Sequence, residues 1–234
     1  MLGPEGGAAL VIPVIDEGET IGDVVRAVPR DLIGEVIVVD GGSRDNTVAR
    51  AREAGARVVI EPAAGYGAAC LAGVRAAAPA CRVIAFIDGD GSDDPADLAR
   101  IVAPVLAGEK DFVIGSRLAG ERESGSMGVH QALAGYLAGR VIRLLYGVRY
   151  TDMGPLRAIR RDLLEGLGMQ ERTYGWNLEM QMRVARAGLR ILEVPVRHRN
   201  RAGGTSKVAG SLAGSLRAGW AIGTTLARVA RQAR

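Results

Sequence analysis

The sequence has few cysteines and no segment that would insert it into a membrane or carry it across one. Cys70 and Cys81 are its two cysteines, and they lie in an Ala-rich stretch without the spacing of metal ligands. This excludes a disulfide framework. No uncharged apolar run reaches the ~18 to 20 residues that a transmembrane helix needs, and residues 1–7 lack the basic and apolar regions of a signal peptide. These absences predict a cytoplasmic protein.

The sequence also lacks a strong excess of charge of either sign. It has 30 basic and 26 acidic residues, a net charge of +4, and the basic residues are spread along the chain. A nucleic-acid partner is therefore not expected, because such partners select clustered basic residues. With 234 residues, of which 48% are hydrophobic, the chain can close one large α/β core. We find no internal repeat.

Five apolar runs in the first half of the chain are typical of strands buried on both faces, as in a parallel sheet with helices on either side. They cover residues 8–12, 35–39, 57–60, 83–87 and 111–114. The segments between them, residues 20–28, 45–54, 68–77 and 95–106, are long enough for crossover helices. The pattern predicts a doubly wound, mostly parallel α/β sheet flanked by helices.

The alternation of strand and helix changes after Arg117. A Gly/Ser/Glu-rich stretch that ends at Gly128 predicts a mobile loop, and a helix is predicted over 131–146. A second α/β stretch follows, with strands predicted at 156–159 and 191–196 and helices at 161–167 and 177–187. We predict one domain over residues 1–207 and a basic amphipathic helix over 208–234.

Acidic residues follow the predicted strands at the point where each strand ends. Asp16 and Glu17 follow the first strand, Asp40 the second, and Asp88 and Asp90 the fourth. In a parallel sheet these ends meet at one edge, where ligands bind. Several carboxylates there would repel one another unless a cation lies between them, and oxygen ligands suit Mg²⁺ or Mn²⁺. We therefore predict that Asp88 and Asp90 bind a metal ion.

Other residues near this edge have simpler interpretations. Asp93 or Asp94, just before Pro95, is predicted to cap the following helix, and Asp45 is predicted to cap another. The glycine-rich turn around Gly67 opens a helix and could cradle phosphate with its amides, which alone is a weak signal. A dinucleotide-binding protein would have a G-x-G-x-x-G turn after the first strand, where this chain has Pro13 and Glu17. This excludes a dehydrogenase.

Taken in order, these motifs resemble the family 2 glycosyltransferases of the GT-A fold, especially the dolichyl-phosphate sugar synthase-like branch. The matching segments run through most of the chain, at residues 11–17, 38–47, 65–68, 88–90, 115–117, 151–154 and 201–207. Three positions depart from that pattern: Ile15, Asp16 and Gly41 stand where an aromatic residue, Asn and Asp are common. These departures leave the nucleotide open between a UDP-sugar and a GDP-sugar.

The resemblance implies a role for several residues in binding a nucleotide-sugar donor. It implies that Asp88 and Asp90 form the D-x-D element that holds the metal and the diphosphate. It implies that Arg201 and Lys207 belong to a C-terminal flap that closes over the phosphates, and that Arg117 lies near an acceptor phosphate. The residues expected to line the base and ribose pocket are Pro13, Ile15, Glu17 and Asp40.

The resemblance also implies an inverting reaction, and it leaves two acceptors open. A polyprenyl phosphate is already ionised and needs no general base, whereas a soluble hydroxyl acceptor needs a carboxylate as base. Asp152 and Glu179 are the candidates, with a helix cap and a solvated helix face as their alternative roles. The residues after 207 either pack on the domain or lie peripherally on the inner face of the membrane. The sequence leaves the oligomeric state open.

Two other classes of protein compete with the glycosyltransferase. A nucleotidyltransferase also uses acidic residues and a metal, but it would have a glycine-rich basic loop after the first strand, where this chain is acidic. A non-catalytic nucleotide-binding protein would have no need for clustered like charges such as Asp88 and Asp90. Both classes are therefore less well supported by the sequence.

Overall fold

A computed structural model describes residues 7–62, 65–201 and 223–231 of the chain. Seven strands in these residues form a single sheet. They are β1 (Ala8–Val14), β2 (Ile33–Asp40), β3 (Arg57–Ile60), β4 (Val83–Phe86), β5 (Phe112–Ser116), β6 (Arg157–Arg160) and β7 (Ile191–Pro195). Their order across the sheet is β3-β2-β1-β4-β6-β5-β7.

Helices follow most of the strands and cover both faces of the sheet. They are α1 (Ile21–Arg26), α2 (Thr47–Glu53), α3 (Tyr66–Ala76), α4 (Leu98–Leu106), α5 (Val129–Tyr146), α6 (Arg161–Gly166) and α7 (Trp176–Arg186), with a 3₁₀ turn at Pro95–Asp97 before α4. Each strand and helix predicted before residue 197 is present, with ends that differ by a few residues. The predicted fold class, a mostly parallel sheet flanked by helices, is confirmed.

The strand β6 explains how the two halves of the chain join in one sheet. It lies between β4 and β5 and runs antiparallel to both, with Arg157 opposite Phe86 and Ile114. The start of an antiparallel strand lies beside the carboxyl ends of its neighbours. Residues 151–156, which lead into β6, therefore reach the same edge as the residues that follow β4 and β5.

Alternate residues of the central strands pack against helices on opposite faces of the sheet. Leu10 and Val38 belong to a buried cluster that includes residues of α1, α2 and α4, whereas Val11 and Val39 pack with residues of α3 and α7. Because both faces are covered, these strands read as continuous apolar runs. The helix α3 lies so close to the sheet that a side chain at Gly73 would collide with Val11.

The described part of the C-terminal tail is helical and contacts the domain. Residues 223–231 form this helix, in which Val229 is fully buried and Arg228 pairs with Glu171 at 3.2 Å. The rest of the predicted helix at 208–234 lies outside the described residues. Among residues 7–62, 65–201 and 223–231, none of the helices has both the length and the apolar character needed to span a bilayer.

Candidate functional site

An arginine that is distant in sequence contacts residues at the carboxyl ends of both β1 and β4. Arg201 Nη2 lies 2.8 Å from Asp90 Oδ2, and its Nη1 lies 3.4 Å from Glu17 Oε1. These contacts bring together three predicted site residues that are up to 184 positions apart in the chain. They also place the start of the predicted flap on the acidic edge. Lys207 lies outside the described residues.

Asp90 is buried and accepts hydrogen bonds on both oxygens. Its Oδ1 accepts from the N–H of Ser92 at 2.9 Å and from the Ser92 hydroxyl at 2.7 Å, while Oδ2 faces Arg201. The predicted cap of the next helical turn is Asp94, which accepts from the N–H of Ala96 at 3.0 Å. The cap therefore does not involve Asp90, whose position at the acidic edge needs another explanation.

Asp88 is half-buried beside other carboxylates. Burial and the charges of Asp90 and Asp93 raise the pKa of Asp88 to about 7, although the Tyr66 hydroxyl, which donates to Asp88 at 3.1 Å, and the charge of Arg117 act in the opposite direction. Asp93 Oδ2 is buried and has no hydrogen-bond partner within the part of the chain that the structure describes. Crowded carboxylates of this kind are stabilised when a cation approaches them.

The donor set at this edge fits a divalent cation that is shared with phosphates. Among the described residues, no group of three or more His, Cys, Asp or Glu side chains is arranged as a complete metal site. Mg²⁺ is commonly held by one or two carboxylates together with substrate phosphates and water. Asp88 and Asp90 supply that number of carboxylates, so the arrangement suits a metal ion that arrives with a diphosphate.

The loops after β1 and β2 lie beside this edge and are joined by hydrogen bonds. The carboxylate of Asp40 accepts from the N–H groups of Gly42 and Ser43, at 3.0 and 3.1 Å, and from the Ser43 hydroxyl. Asp16 donates its N–H to the Ser43 hydroxyl at 2.8 Å and accepts from the N–H of Arg44 at 2.8 Å. Asp40 therefore shapes its own loop, and Asp16 ties that loop to β1.

The backbone of Asp16 explains part of the sequence at this position. Its φ of 52° is positive, a region that Asp and Asn tolerate better than most residues. Nearby, Ile15 is 39% exposed, whereas Pro13 is buried within β1 opposite Val39. Of the residues predicted to line a nucleotide pocket, Ile15 is the one whose side chain is most open to solvent.

The glycine-rich turn at the start of α3 packs against the segment before α7. A side chain at Gly65 or Gly67 would collide with the backbone of Glu171 and Arg172, and the N–H of Ala68 donates to the carbonyl of Arg172 at 2.8 Å. These glycines therefore have a packing role. The phosphate-binding role of Gly67 stays a prediction.

Arg117 and Asp152 form a two-pronged ion pair at the ends of β5 and β6. Arg117 Nε and Nη2 donate to Asp152 Oδ2 and Oδ1 at 2.8 and 2.9 Å, and the N–H of Arg117 donates to Oδ2 at 2.9 Å. Burial alone would raise the pKa of Asp152, but Arg117 outweighs it, so this pKa lies below its ordinary value. The alternative role of Asp152 as a helix cap is wrong, because its partners are Arg117 and the N–H of Met153.

Glu179 is fully buried, so its alternative assignment to a solvated helix face is wrong. Its Oε1 lies 2.8 Å from Arg183 and 2.9 Å from Arg228. Its Oε2 accepts from the N–H groups of Gln170 and Glu171 at 3.0 and 2.6 Å. The carboxylate thus holds α7, the segment before it and the C-terminal helix together.

A basic segment at residues 197–201 lies on the acidic loop at residues 90–94, and sequence reasoning missed most of its contacts. His198 is buried with Nδ1 2.9 Å from Asp93 Oδ1, and Arg197 and Arg199 both pair with Asp94, at 3.0 and 2.9 Å. The opposite charges of the two segments were the available signal. The segment ends at Arg201, so these contacts hold the residue at which the predicted flap begins.

Comparison with known proteins agrees with this geometry. Residues 9–168 match the family described as glycosyl transferase family 2. The chain belongs to this family. An uncharacterised glycosyltransferase of Mycobacterium bovis is 38% identical over 88% of the chain and 92% of its own length. A dolichyl-phosphate hexose transferase of Haloferax volcanii is 34% identical over 84% of the chain and 85% of its own length.

A solved structure of glucosyl-3-phosphoglycerate synthase from Mycobacterium tuberculosis has a similar fold. It was determined with Mn²⁺, UDP-glucose and phosphoglyceric acid, and the TM-score is 0.76 at 25% identity over 96% of the chain and 80% of that protein. The predicted family and its dolichyl-phosphate sugar synthase-like branch are confirmed. The protein is a glycosyltransferase, which removes the nucleotidyltransferase and the non-catalytic alternatives.

Proposed function

We propose that this glycosyltransferase moves a sugar, with inversion, from a UDP- or GDP-sugar to a polyprenyl phosphate, with Mg²⁺ or Mn²⁺ as cofactor. The choice of acceptor rests on one observation: both carboxylates that could act as general bases are already held by other groups of the protein. Asp152 is held by Arg117 and Glu179 by two arginines and two amides. A phosphate acceptor is already ionised and needs neither of them.

The donor would lie along the acidic edge. Asp88 and Asp90 would hold the metal ion, which would neutralise negative charge on the diphosphate as it leaves. Arg201 lies 2.8 Å from Asp90 and would donate hydrogen bonds to the same phosphates, and Lys207 would act with it. The base and ribose would lie against the loops of Ile15, Glu17 and Asp40. The Mn²⁺ and UDP-glucose in the glucosyl-3-phosphoglycerate synthase support this arrangement.

Arg117 is the proposed contact for the acceptor phosphate. Arg117 donates to Asp152 through Nε and Nη2, so this ion pair fixes the orientation of the guanidinium plane and does not use Nη1. The charges of Asp88 and Asp93 act on Arg117, which therefore lies near the acidic edge. A phosphate bound to Arg117 would thus approach the donor from the side of β5 and β6. The dolichyl-phosphate hexose transferase supports a lipid phosphate.

The acceptor is tested by direct competition between chemical classes. With a nucleotide sugar and Mn²⁺, we expect transfer to a short-chain polyprenyl phosphate and none to the same prenol without its phosphate, because an uncharged hydroxyl would require a general base. Phosphoglyceric acid and free sugars are the soluble comparison, since phosphoglyceric acid is present in the structural relative. Efficient transfer to a soluble hydroxyl, and none to the lipid phosphate, would refute the proposed acceptor and leave the glycosyltransferase intact.

Arg201→Ala is expected to slow transfer by roughly tenfold to a hundredfold, because one donor to the leaving phosphates is lost. Its side chain is 32% exposed, so we expect little change in the free energy of unfolding. Steady-state kinetics and urea unfolding measure the two effects. Arg199→Ala is the matched control, because Arg199 pairs with Asp94 and not with Asp90. Equal effects of both substitutions on kcat would contradict the role of Arg201.

A further inference from the structure

The helix α5 is apolar on its outer face as well as on its inner face. Its inner stripe of Gly135, Ala138, Gly139 and Ile142 is buried against the domain. The outer face carries five large apolar side chains that are exposed to solvent, namely Leu133, Leu137, Val141, Leu144 and Leu145. A surface helix of a water-soluble domain normally presents polar residues on this side.

These outer side chains form one continuous stripe. At 100° per residue, Leu133, Leu137 and Leu144 fall within a narrow arc, with Val141 and Leu145 on one side of it. Leu144 is 88% exposed and Leu133 and Leu137 are each more than half exposed. Contiguous exposed apolar surface of this kind marks an interaction site more often than a solvated surface.

Polar groups on the other side of the stripe are suited to a lipid interface. Arg140 lies over the ring of Tyr136, 5.7 Å from its centre, and donates to the Tyr136 hydroxyl at 2.9 Å. Arg143 is exposed along the same side. Tyrosine and arginine at the margin of an apolar helix face are typical of helices that lie in the plane of a membrane surface.

The charge of the helix distinguishes a membrane from a second copy of the chain. Residues 129–147 contain no Asp or Glu, whereas they contain Arg140 and Arg143, and Arg149 follows. Two copies of this face packed about a two-fold axis would bring like charges together without an acidic residue of the helix to offset them. Anionic lipid head groups would offset them directly.

The inner face of α5 contacts the segment that carries the acceptor side of the site. A side chain at Gly139 would collide with the backbone of Tyr150, and one at Gly135 would contact Asp152. Asp152 holds Arg117. The outer face of α5 therefore lies about one helix diameter, roughly 10 Å, from the segment that holds Arg117, a distance that a lipid phosphate at the bilayer surface can approach.

We infer that the outer face of α5 docks the enzyme on an anionic membrane surface and so presents lipid acceptors to Arg117. This inference rests on the proposed function for the identity of the acceptor. The docking itself depends only on the apolar stripe and its arginines. It is therefore testable without any sugar transfer.

The test is flotation of the full-length protein with vesicles of phosphatidylcholine, with and without phosphatidylglycerol, at low and high salt. Binding is expected with phosphatidylglycerol and is expected to weaken in high salt. Leu137→Glu and Leu144→Glu are each expected to lower the partition coefficient by about tenfold or more, because each replaces an apolar side chain that would be buried in lipid. Ile60→Glu is the matched control, since Ile60 is 52% exposed at the end of β3, and it should bind as the wild type does.

Two further measurements keep the outcomes distinct. Both α5 variants should retain the circular dichroism of the wild type and its transfer to a water-dispersed short-chain polyprenyl phosphate. If the wild type does not transfer sugar to this polyprenyl phosphate, the proposed acceptor is refuted. If both α5 variants float as the wild type does, the docking face is refuted. Absence of wild-type flotation would also refute the docking face. If the wild type is a dimer in sedimentation and the α5 variants are monomers that float as the wild type does, the face is an interface with a second copy of the chain.

Discussion

Asp90→Ala is expected to lower kcat/KM for sugar transfer by about a hundredfold or more and to remove the effect of Mn²⁺ on donor binding. Asp90 is one of two carboxylates available for the proposed metal ion, and its Oδ2 also holds Arg201 at 2.8 Å. One substitution thus removes a proposed metal ligand and releases an arginine proposed to contact the diphosphate. The fold should persist, because the lost hydrogen bonds to Ser92 are offset by relief of the repulsion between Asp90 and Asp88.

Titration calorimetry with a nucleotide sugar, with and without Mn²⁺, measures the binding part of this prediction, and a transfer assay measures the catalytic part. Asp23→Ala is a matched control, because Asp23 is exposed on α1 and its one ion pair among the described residues is with Arg26. Asp90→Asn keeps the size of the side chain and separates the loss of charge from the loss of packing. Near-normal turnover of Asp90→Ala, or Mn²⁺-dependent donor binding that persists in it, would remove Asp90 from the metal site.

The sequence predicted the strands well because burial on both faces of the sheet requires apolar residues at successive positions. Leu10 and Val11 face opposite sides of the sheet, yet both are fully buried, so β1 shows as a continuous apolar run with a polar end. The direction of β6 is not visible in this way. Its four residues pair with β4 and β5, and their apolar pattern is the same whether the strand runs parallel or antiparallel.

The acidic edge of the candidate site was predictable where its residues are neighbours in the chain. Asp88 and Asp90 stand out because a strand ends at them, and the acidic edge follows from sheet geometry alone. Contacts between distant segments were not predictable in this way. The pairing of Arg117 with Asp152 depends on the antiparallel insertion of β6, and the contact of His198 with Asp93 joins residues 105 positions apart.

Glu179 illustrates the same limit for a single residue. Its place on α7 among Asn177, Gln181 and Arg183 gives the helix a polar appearance, which is compatible with a solvated face as the alternative to a general base. The structure instead buries Glu179 completely, because Arg183 from the next turn and Arg228 from the C-terminal helix compensate its charge. The sequence alone does not distinguish a buried carboxylate with arginine partners from an exposed ion pair.

Glu179→Ala is expected to lower the free energy of unfolding by about 3 to 5 kcal/mol, because it removes the carboxylate that compensates the buried positive charge of Arg183. The N–H groups of Gln170 and Glu171 would also lose their acceptor. Urea unfolding measures this change. Glu165→Ala is the matched control on α6, since Glu165 also pairs with an arginine, Arg161, at 2.8 Å but is 56% exposed; its cost should be about 1 kcal/mol or less.

The same pair of variants decides whether Glu179 acts as a general base. Below its unfolding transition, Glu179→Ala should retain most of its kcat with a polyprenyl phosphate, because the ionised acceptor needs no base and Glu179 already accepts from two arginines and two amides. A general base would give the opposite result, a folded variant of nearly normal stability whose kcat falls by about a hundredfold or more. That outcome would restore Glu179 to the catalytic machinery and would favour a hydroxyl acceptor over a phosphate.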